Sequence, residues 1–302
     1  MAVTPNRISV LINEHSGLTP RADAGEEIQS LFAAAGLPVR IERVRHGGDL
    51  AARARQAAGR GDVLVAAGGD GTVGTVAGVA VDANATFGVI PLGTLNHFAK
   101  DAGIPLQRAE AVQNIVEGHV RDVDVGDLNG RIFVNNSSVG IYPRMVWERN
   151  AEQRNGRSKW VAFVIAMARA WNRYRLLAAR LSIDQQHHAV RTPFIFVGNN
   201  EYAVEGFQLG ARTVLDGGRL SIFIAPEIGR FEILLLPLRG LAKRLTSDPK
   251  FECHIAEQAT IELSRHRANV ALDGEVTVMQ LPLQYRVRRR ALHLIVPGPS
   301  SS

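Results

Sequence analysis

The sequence predicts two domains: an α/β domain built on a parallel sheet with helices on both faces, then a mostly antiparallel, β-rich domain. The first third alternates strand-like and helix-like patterns, and that alternation marks a parallel sheet with crossover helices. Beyond about Arg121 strand-like runs dominate, and strands grouped after an alternating region form a largely antiparallel layer of their own. A chain of 302 residues is also long for one core and comfortable for two. The division is drawn as residues 1–121 and 122–302.

Arg7 to Ile12 reads as the first strand, closed by the turn Asn13-Glu14-His15-Ser16-Gly17. Pro20 to Gly36 reads as a helix, because Ile28, Leu31, Phe32 and Ala35 fall at helical spacing and Gly36 stands near its end. Val39 to Val44 is a second strand, His46-Gly47-Gly48 a loop and Leu50 to Ala58 a short helix. Asp62 to Ala67 and Thr86 to Ile90 are apolar, strand-like runs, each leading into a glycine-rich segment. Further on, Arg131 to Asn135, Val190 to Val197, Arg219 to Ala225, Phe251 to Leu263 and Leu283 to Val296 read as strands. Helical patterns cover Lys159 to Arg180 and Phe231 to Leu245. There is no internal repeat, and only Pro297 to Ser302 reads as disordered.

Hydrophobic residues make up 46% and charged residues 21%, which argues against extended disorder. A net charge of +6 suggests an anionic partner such as a nucleotide or a phospholipid surface. A nucleic-acid binder has only this charge in its favour, with no recognisable module. Cys253 is the only cysteine, so no intramolecular disulfide forms and a reducing compartment fits. No signal peptide is apparent, and the longest apolar run, Trp160 to Ala168, is about half the roughly 20 residues of a spanning helix. The expectation is a cytoplasmic protein, soluble or peripheral to a membrane.

The two glycine-rich segments are Gly68-Gly69-Asp70-Gly71-Thr72 and Pro91-Leu92-Gly93-Thr94-Leu95-Asn96. Loops leaving one edge of a parallel sheet are where such folds bind ligands. Glycines let backbone N–H groups approach phosphate, and the following helix start adds a favourable field. Asp70 offers a carboxylate to a magnesium ion or its waters, while Thr72 and Thr94 offer hydroxyls. There is no G-x-x-x-x-G-K-[ST], so backbone amides and hydroxyls hold the phosphates here without a loop lysine. Asp122 and Asp124 lie two apart on a strand and point the same way. Asp273-Gly274-Glu275 falls between Ala268 to Leu272 and Val276 to Met279, and Asp-Gly there is by itself a hairpin signal.

At these residues the chain resembles the diacylglycerol kinase catalytic-domain family, which includes bacterial lipid kinases and sphingosine kinases. The matching pieces are Gly68 to Thr72, Pro91 to Lys100, Asp122 to Gly126 and Leu272 to Glu275, and they span most of the chain. The resemblance implies a nucleotide-binding α/β lobe and a β-sandwich lobe with the active cleft between them. It implies ATP and Mg2+ as cofactors and a lipid substrate at a membrane surface; a homodimer is compatible with it. It places Glu275 as the general base and Asp273 beside it, orienting it or touching metal. It places Asn13, Gly17, Gly68, Gly69, Asp70, Gly71, Thr72, Gly93, Thr94 and Asn96 around the nucleotide, and Asp70 and Asp124 at the magnesium.

Four positions depart from the family pattern. Glu14 stands where proline is usual, the loop at Arg45 and His46 lacks a threonine, His97 replaces a frequent acid, and Gly217 replaces the second acid beside Asp216. The helical stretches 159–180 and 231–245 either dock on an anionic membrane, arginines at the headgroups, or pack against the sandwich. His187-His188 lacks acid or cysteine partners at ligand spacing and reads as a solvated loop. Two rivals remain at this point. An NAD kinase shares the GGDG loop but calls for a Thr-Gly-Ser-Thr-Ala-Tyr-like segment, which is missing here. A catalytically inactive lipid- or nucleotide-binding regulator would accommodate the four departures.

Overall fold

The computed structural model describes residues 7–13, 23–44, 47–140, 176–202, 204–205, 208–209, 212, 214–225 and 252–298. The chain divides into two compact units. The first takes residues 1–125, 131–135 and 288–302; the second takes 126–130 and 136–287. The last strand therefore returns to the first unit, which chain order alone does not reveal.

Eleven elements open the chain: β1 (Ile8–Asn13), α1 (Ala24–Ala34), β2 (Val39–Val44), α2 (Gly47–Gly59), β3 (Val63–Gly68), α3 (Asp70–Ala83), β4 (Thr86–Pro91), α4 (His97–Asp101), α5 (Arg108–Glu117), β5 (His119–Leu128) and β6 (Arg131–Phe133). Strands follow: β7 (Asn136–Gly140), β8 (Leu177–Ile183), β9 (Gln186–Thr192), β10 (Phe194–Asn199), β11 (Val204–Glu205), β12 (Gln208–Leu209), β13 (Leu220–Ile224), β14 (Glu252–Ala256), β15 (Gln258–Leu263), β16 (Arg267–Leu272), β17 (Glu275–Gln280) and β18 (Leu283–Val296).

In the first unit, β2, β1, β3 and β4 lie side by side and parallel. The end of β18 adds to β4, also parallel, through His293↔Thr86 and Leu294↔Phe87. Strands buried on both faces need apolar side chains in both directions, and β3 is buried along its whole length. Its odd positions, Val63, Val65 and Ala67, join Ile8, Val10 and Ile12 of β1 against Ile28 and Phe32 of α1 and Ala111, Val112 and Ile115 of α5. Helices α2 and α3 pack on each other and on β1 and β3. The predicted helix 20–36 is shorter, Ala24–Ala34, its opening residues lying outside the described part.

The second unit is an antiparallel sandwich. One sheet runs β14-β13-β10-β7-β16-β17; the other pairs the beginning of β18 with β15, β15 with β8, and β8 with β9. Val139, Ile195, Val197, Ile222 and Val270 from the first of these sheets, and Leu181, Ile261 and Leu283 from the second, are buried. A hydrogen bond joins Ser137 Oγ to the Tyr285 hydroxyl at 2.9 Å. Burial pushes that phenol far above its ordinary pKa, with the Ser137 bond a smaller opposing influence.

Three expected elements differ. Val190 to Val197 is two strands, β9 and β10, in different sheets, parted at Pro193, which has no N–H to give a ladder. Phe251 to Leu263 also divides, at Glu257, with β14 in one sheet and β15 in the other. Leu177 to Arg180, read as the end of a helix, is the start of β8, where Ala179 and Leu181 face inward and Ala178 and Arg180 outward. A run of strand-prone residues can cross from one sheet to another without a break in composition, so the local pattern alone does not show where a strand crosses over. The rest of the 159–180 stretch, the 231–245 stretch and the tail from Pro299 lie outside the described residues.

Tyr285→Phe strips a fully buried Ser137 hydroxyl of its partner. It is expected to lower unfolding free energy by about 1–3 kcal/mol, read from denaturant midpoints at unchanged slope.

Candidate active site

In the first unit, a single residue separates β3 from α3. Gly69 is the N-cap, in extended conformation, and the first turn of α3 closes with Val73 N–H donating to Gly69 O at 3.0 Å. The N–H groups of Asp70, Gly71 and Thr72 therefore have no acceptor within their helix. With the helix dipole they favour negative charge at this end of the helix.

The second loop is folded onto the first. Leu92 N–H donates to Gly68 O at 2.9 Å. The Asn96 side chain closes the turn, its Oδ1 accepting from Gly93 N–H at 2.9 Å and its Nδ2 donating to Gly93 O at 3.0 Å. Asn96 caps α4 in the left-handed region, which asparagine tolerates better than most residues. A Cβ on Gly93 would stand 2.6 Å from Gly69 Cα and 2.6 Å from Asn96 Oδ1. A Cβ on Gly68 would stand 2.5 Å from Thr72 Oγ1. Two backbones thus touch with no side chain between them.

Each expected contact residue can now be placed. Gly69, Asp70, Gly71 and Gly93 are partly exposed, and Thr94 is exposed at the loop tip. Gly68 is buried, and Thr72, only 4% exposed, packs beneath it. Thr72 is buried beneath Gly68 and the Asn96 side chain bonds Gly93, so both shape the loops. Asn13 ends β1 opposite Val44 and is half-buried. Gly17, Glu14 and His46 lie outside the described residues. His97, at the start of α4, is exposed.

Asp70 Oδ1 accepts from Phe98 N–H and from Asn135 Nδ2, each at 3.4 Å. Sequence reasoning missed Asn135. It is 2% exposed, just beyond β6, and a buried amide at the end of a strand was the signal that could have marked it. Asp122 and Asp124, expected to point alike, meet different surroundings. Asp122 is exposed and meets His293 Nδ1 at 2.6 Å. Asp124 is 1% exposed, and its Oδ1 accepts from the N–H of Arg290 at 2.8 Å. Arg290 sits in the left-handed region, at φ 49°.

In the second unit, Asp273 and Gly274 form the two-residue turn between β16 and β17, with φ of 46° and 85° and Leu272 paired to Glu275. Two left-handed residues in succession suit a tight hairpin. Asp273 is also pinned: its Oδ1 accepts from Asn136 N–H at 3.0 Å, and its own N–H donates to Asn136 O at 2.9 Å. It is 8% exposed, whereas Glu275 is exposed at the mouth of β17. The turn therefore offers one fixed carboxylate and one accessible carboxylate.

The loop at Asp216 does not fit a structural metal. Where a second carboxylate would stand, Gly217 donates its N–H to Asn200 Oδ1 at 2.9 Å. Asn200 O in turn accepts from Ser221 Oγ at 2.9 Å. A side-chain amide braces this loop.

A family model for the diacylglycerol kinase catalytic domain matches residues 7–128. Another, for the YegS C-terminal NAD kinase beta sandwich-like domain, matches residues 138–296. A diacylglycerol kinase of Bacillus subtilis (strain 168) is 25% identical over 297 residues, covering 96% of both chains. A diacylglycerol kinase of Staphylococcus aureus (strain Newman) is 43% identical over 89 residues, covering 29% of this chain and 28% of that one. The crystal structure of a diacylglycerol kinase from Bacillus anthracis str. Sterne aligns with a TM-score of 0.69 at 20% identity, over 99% of this chain and 100% of that one. The last likeness speaks to the fold.

Gly93→Ala should destabilise the first unit by about 1–3 kcal/mol, as overpacking does, because its Cβ meets the Gly69 backbone. Thermal melting of this variant beside Gly59→Ala checks the site against a general glycine effect, since Gly59 has open space and, like Gly93, no positive φ.

Proposed function

The chain belongs to the diacylglycerol kinase catalytic-domain family, and on that premise we propose that it is an ATP-dependent, magnesium-requiring lipid kinase. Its acceptor is a hydroxyl of diacylglycerol or a related lipid. The observation that carries the reading is the partly exposed N-terminus of α3, with Asp70 at its first position directly after Gly69, whose backbone meets Gly93. Helix N–H groups that lack acceptors suit the phosphates of a nucleotide, and an acid placed among them suits their counter-ion.

Gly69, Gly71 and Gly93 allow close approach to the phosphates, and Thr94 contributes its hydroxyl. Asp70, steadied by Asn135 and Phe98 N–H, would hold magnesium. Asp124, with its Oδ1 on Arg290 N–H, would add a fixed second negative charge. When bound, the ion neutralises charge on the β- and γ-phosphates. Glu275 takes the proton of the lipid hydroxyl as that oxygen bonds to the γ-phosphorus. The bond from that phosphorus to the β–γ bridging oxygen breaks, ADP leaves, and Glu275 later releases its proton to water. Asp273, held by Asn136, fixes the turn from which Glu275 projects. A lipid acceptor requires the enzyme to visit a bilayer, so peripheral membrane association from the cytoplasm belongs to this reading. No helix among the described residues is long and apolar enough to cross a membrane.

The test is transfer of labelled phosphate from ATP to a panel of lipids in mixed micelles with magnesium, and to NAD as a separate acceptor. One lipid class should be labelled, and Glu275→Gln should lower its rate by about 10²–10⁴-fold, the span of general-base catalysis. Labelling of NAD would move the protein to the rival kinase class. ATP binding without transfer to any acceptor would favour an inactive regulator.

Asp70→Asn should raise the magnesium concentration needed for half-maximal rate by on the order of tenfold, since a charge-assisted contact gives way to a neutral one. Asn135→Ala should shift the same midpoint in the same direction by less. Magnesium titration of initial rates at saturating ATP checks both.

A further inference from the structure

The second unit carries a pair of histidines that the proposed reaction does not use. His188 lies on β9 and His254 on β14, the terminal strands of the two sheets. His188 alternates with exposed neighbours, among them His187, whose Nδ1 meets Ser182 Oγ at 2.8 Å. His254 stands opposite the fully buried Ile222, on the inward row of its sheet. The rings meet across the sandwich edge with centroids 4.9 Å apart and planes tilted by 55°. Both Nε2 atoms are buried, and neither has a hydrogen-bond partner. A buried polar atom left unpaired is costly, and two such imidazoles with rings 4.9 Å apart call for a shared occupant.

We propose that this edge is a binding site for a divalent transition metal of the zinc class, with Nε2 of His188 and His254 as its fixed ligands and Glu252 as the third. Two imidazoles bound through nitrogen to one tetrahedral ion at ~2.1 Å have ring centroids roughly 5 Å apart, as these do. Glu252 Oε2 lies 3.6 Å from His254 Nε2, close to the ~3.4 Å that separates two ligand atoms on such an ion. No three ligand side chains already close on one point among the described residues. The imidazoles form the built part, and the exposed Glu252 carboxylate swings in with water to complete the shell. Neutral imidazole suits zinc, copper, nickel or cobalt, while magnesium prefers an all-oxygen shell. The ion would tie β9 to β14 and pin the sandwich where it is otherwise open.

The site would differ from the proposed magnesium chemistry in its ligands and in its metal. Cys253, next to His254, is exposed and pairs with Phe223 on the opposite row, so its sulfur is not expected in the shell.

The test uses tag-free, chelator-stripped full-length protein titrated with Co2+ in the absence of nucleotide. One equivalent should bind with the visible absorption of a tetrahedral nitrogen- and oxygen-ligated ion, and should raise the melting temperature. His188→Gln and His254→Gln should each weaken it more than about tenfold, given that even loss of a supporting partner commonly weakens metal binding 10–100-fold. Glu252→Gln, at an exposed position, covers the case in which a histidine variant misfolds, and should weaken binding too. His187→Gln should leave binding unchanged. Absence of binding by the wild type, binding untouched by all three ligand variants, or a sulfur-to-cobalt charge-transfer band would each overturn the proposal.

Discussion

The first unit depends on two glycine backbones meeting without side chains between them. Gly69 ends the strand-to-helix crossing at β3, Gly93 follows β4, and the Leu92 N–H bond to Gly68 O extends the strand pairing just past the sheet edge. Because a Cβ on Gly93 would stand 2.6 Å from Gly69 Cα, the approach tolerates no other residue without movement. Asn96 then closes its own turn from within, and Thr72 fills the space under Gly68. What remains open is the start of α3, and a helix start with free N–H groups favours negative charge. Side chains in these loops mainly build the shape, and backbone faces outward.

A different device fixes the acids in the second unit. The Asp273-Gly274 turn places a carboxylate at a left-handed residue, a conformation most side chains avoid. Two hydrogen bonds with Asn136 hold it there. The arrangement keeps Asp273 nearly buried and leaves Glu275 exposed, so a short acidic segment holds one supporting carboxylate and one accessible carboxylate. Asn200 shows the same economy at the Asp216 loop, where one amide braces a turn that lacks a second carboxylate.

The architecture was legible because its signals are local and repeated. Alternating apolar runs marked the parallel strands, and β3, with no polar residue, reads as a strand buried on both faces. The glycine segments marked the open end of that sheet. What escaped was information carried by partners distant in sequence. Asn135 reaches Asp70 across 65 positions and Arg290 reaches Asp124 across 166, so neither pattern appears in a window. Asp122 and Asp124 share a strand face by spacing, yet one ends exposed and the other buried, because the segment around His293 and Arg290 packs on them unequally. His188 was read as solvated since its neighbours in sequence carry no ligands; its counterpart comes from β14, 66 residues on. Likewise Val190 to Val197 spans β9 and β10 in different sheets, and a strand-prone run carries no local mark of which sheet it joins.

The most direct measurement is amide chemical-shift mapping of the protein titrated with a non-hydrolysable ATP analogue and magnesium. The account predicts that the N–H signals of Gly69, Asp70, Gly71 and Thr94 move first and furthest, with Asn96 following as its turn tightens. Saturable binding that leaves those amides unmoved would contradict it, because the Gly69–Gly93 contact would then be a packing solution with no nucleotide to hold.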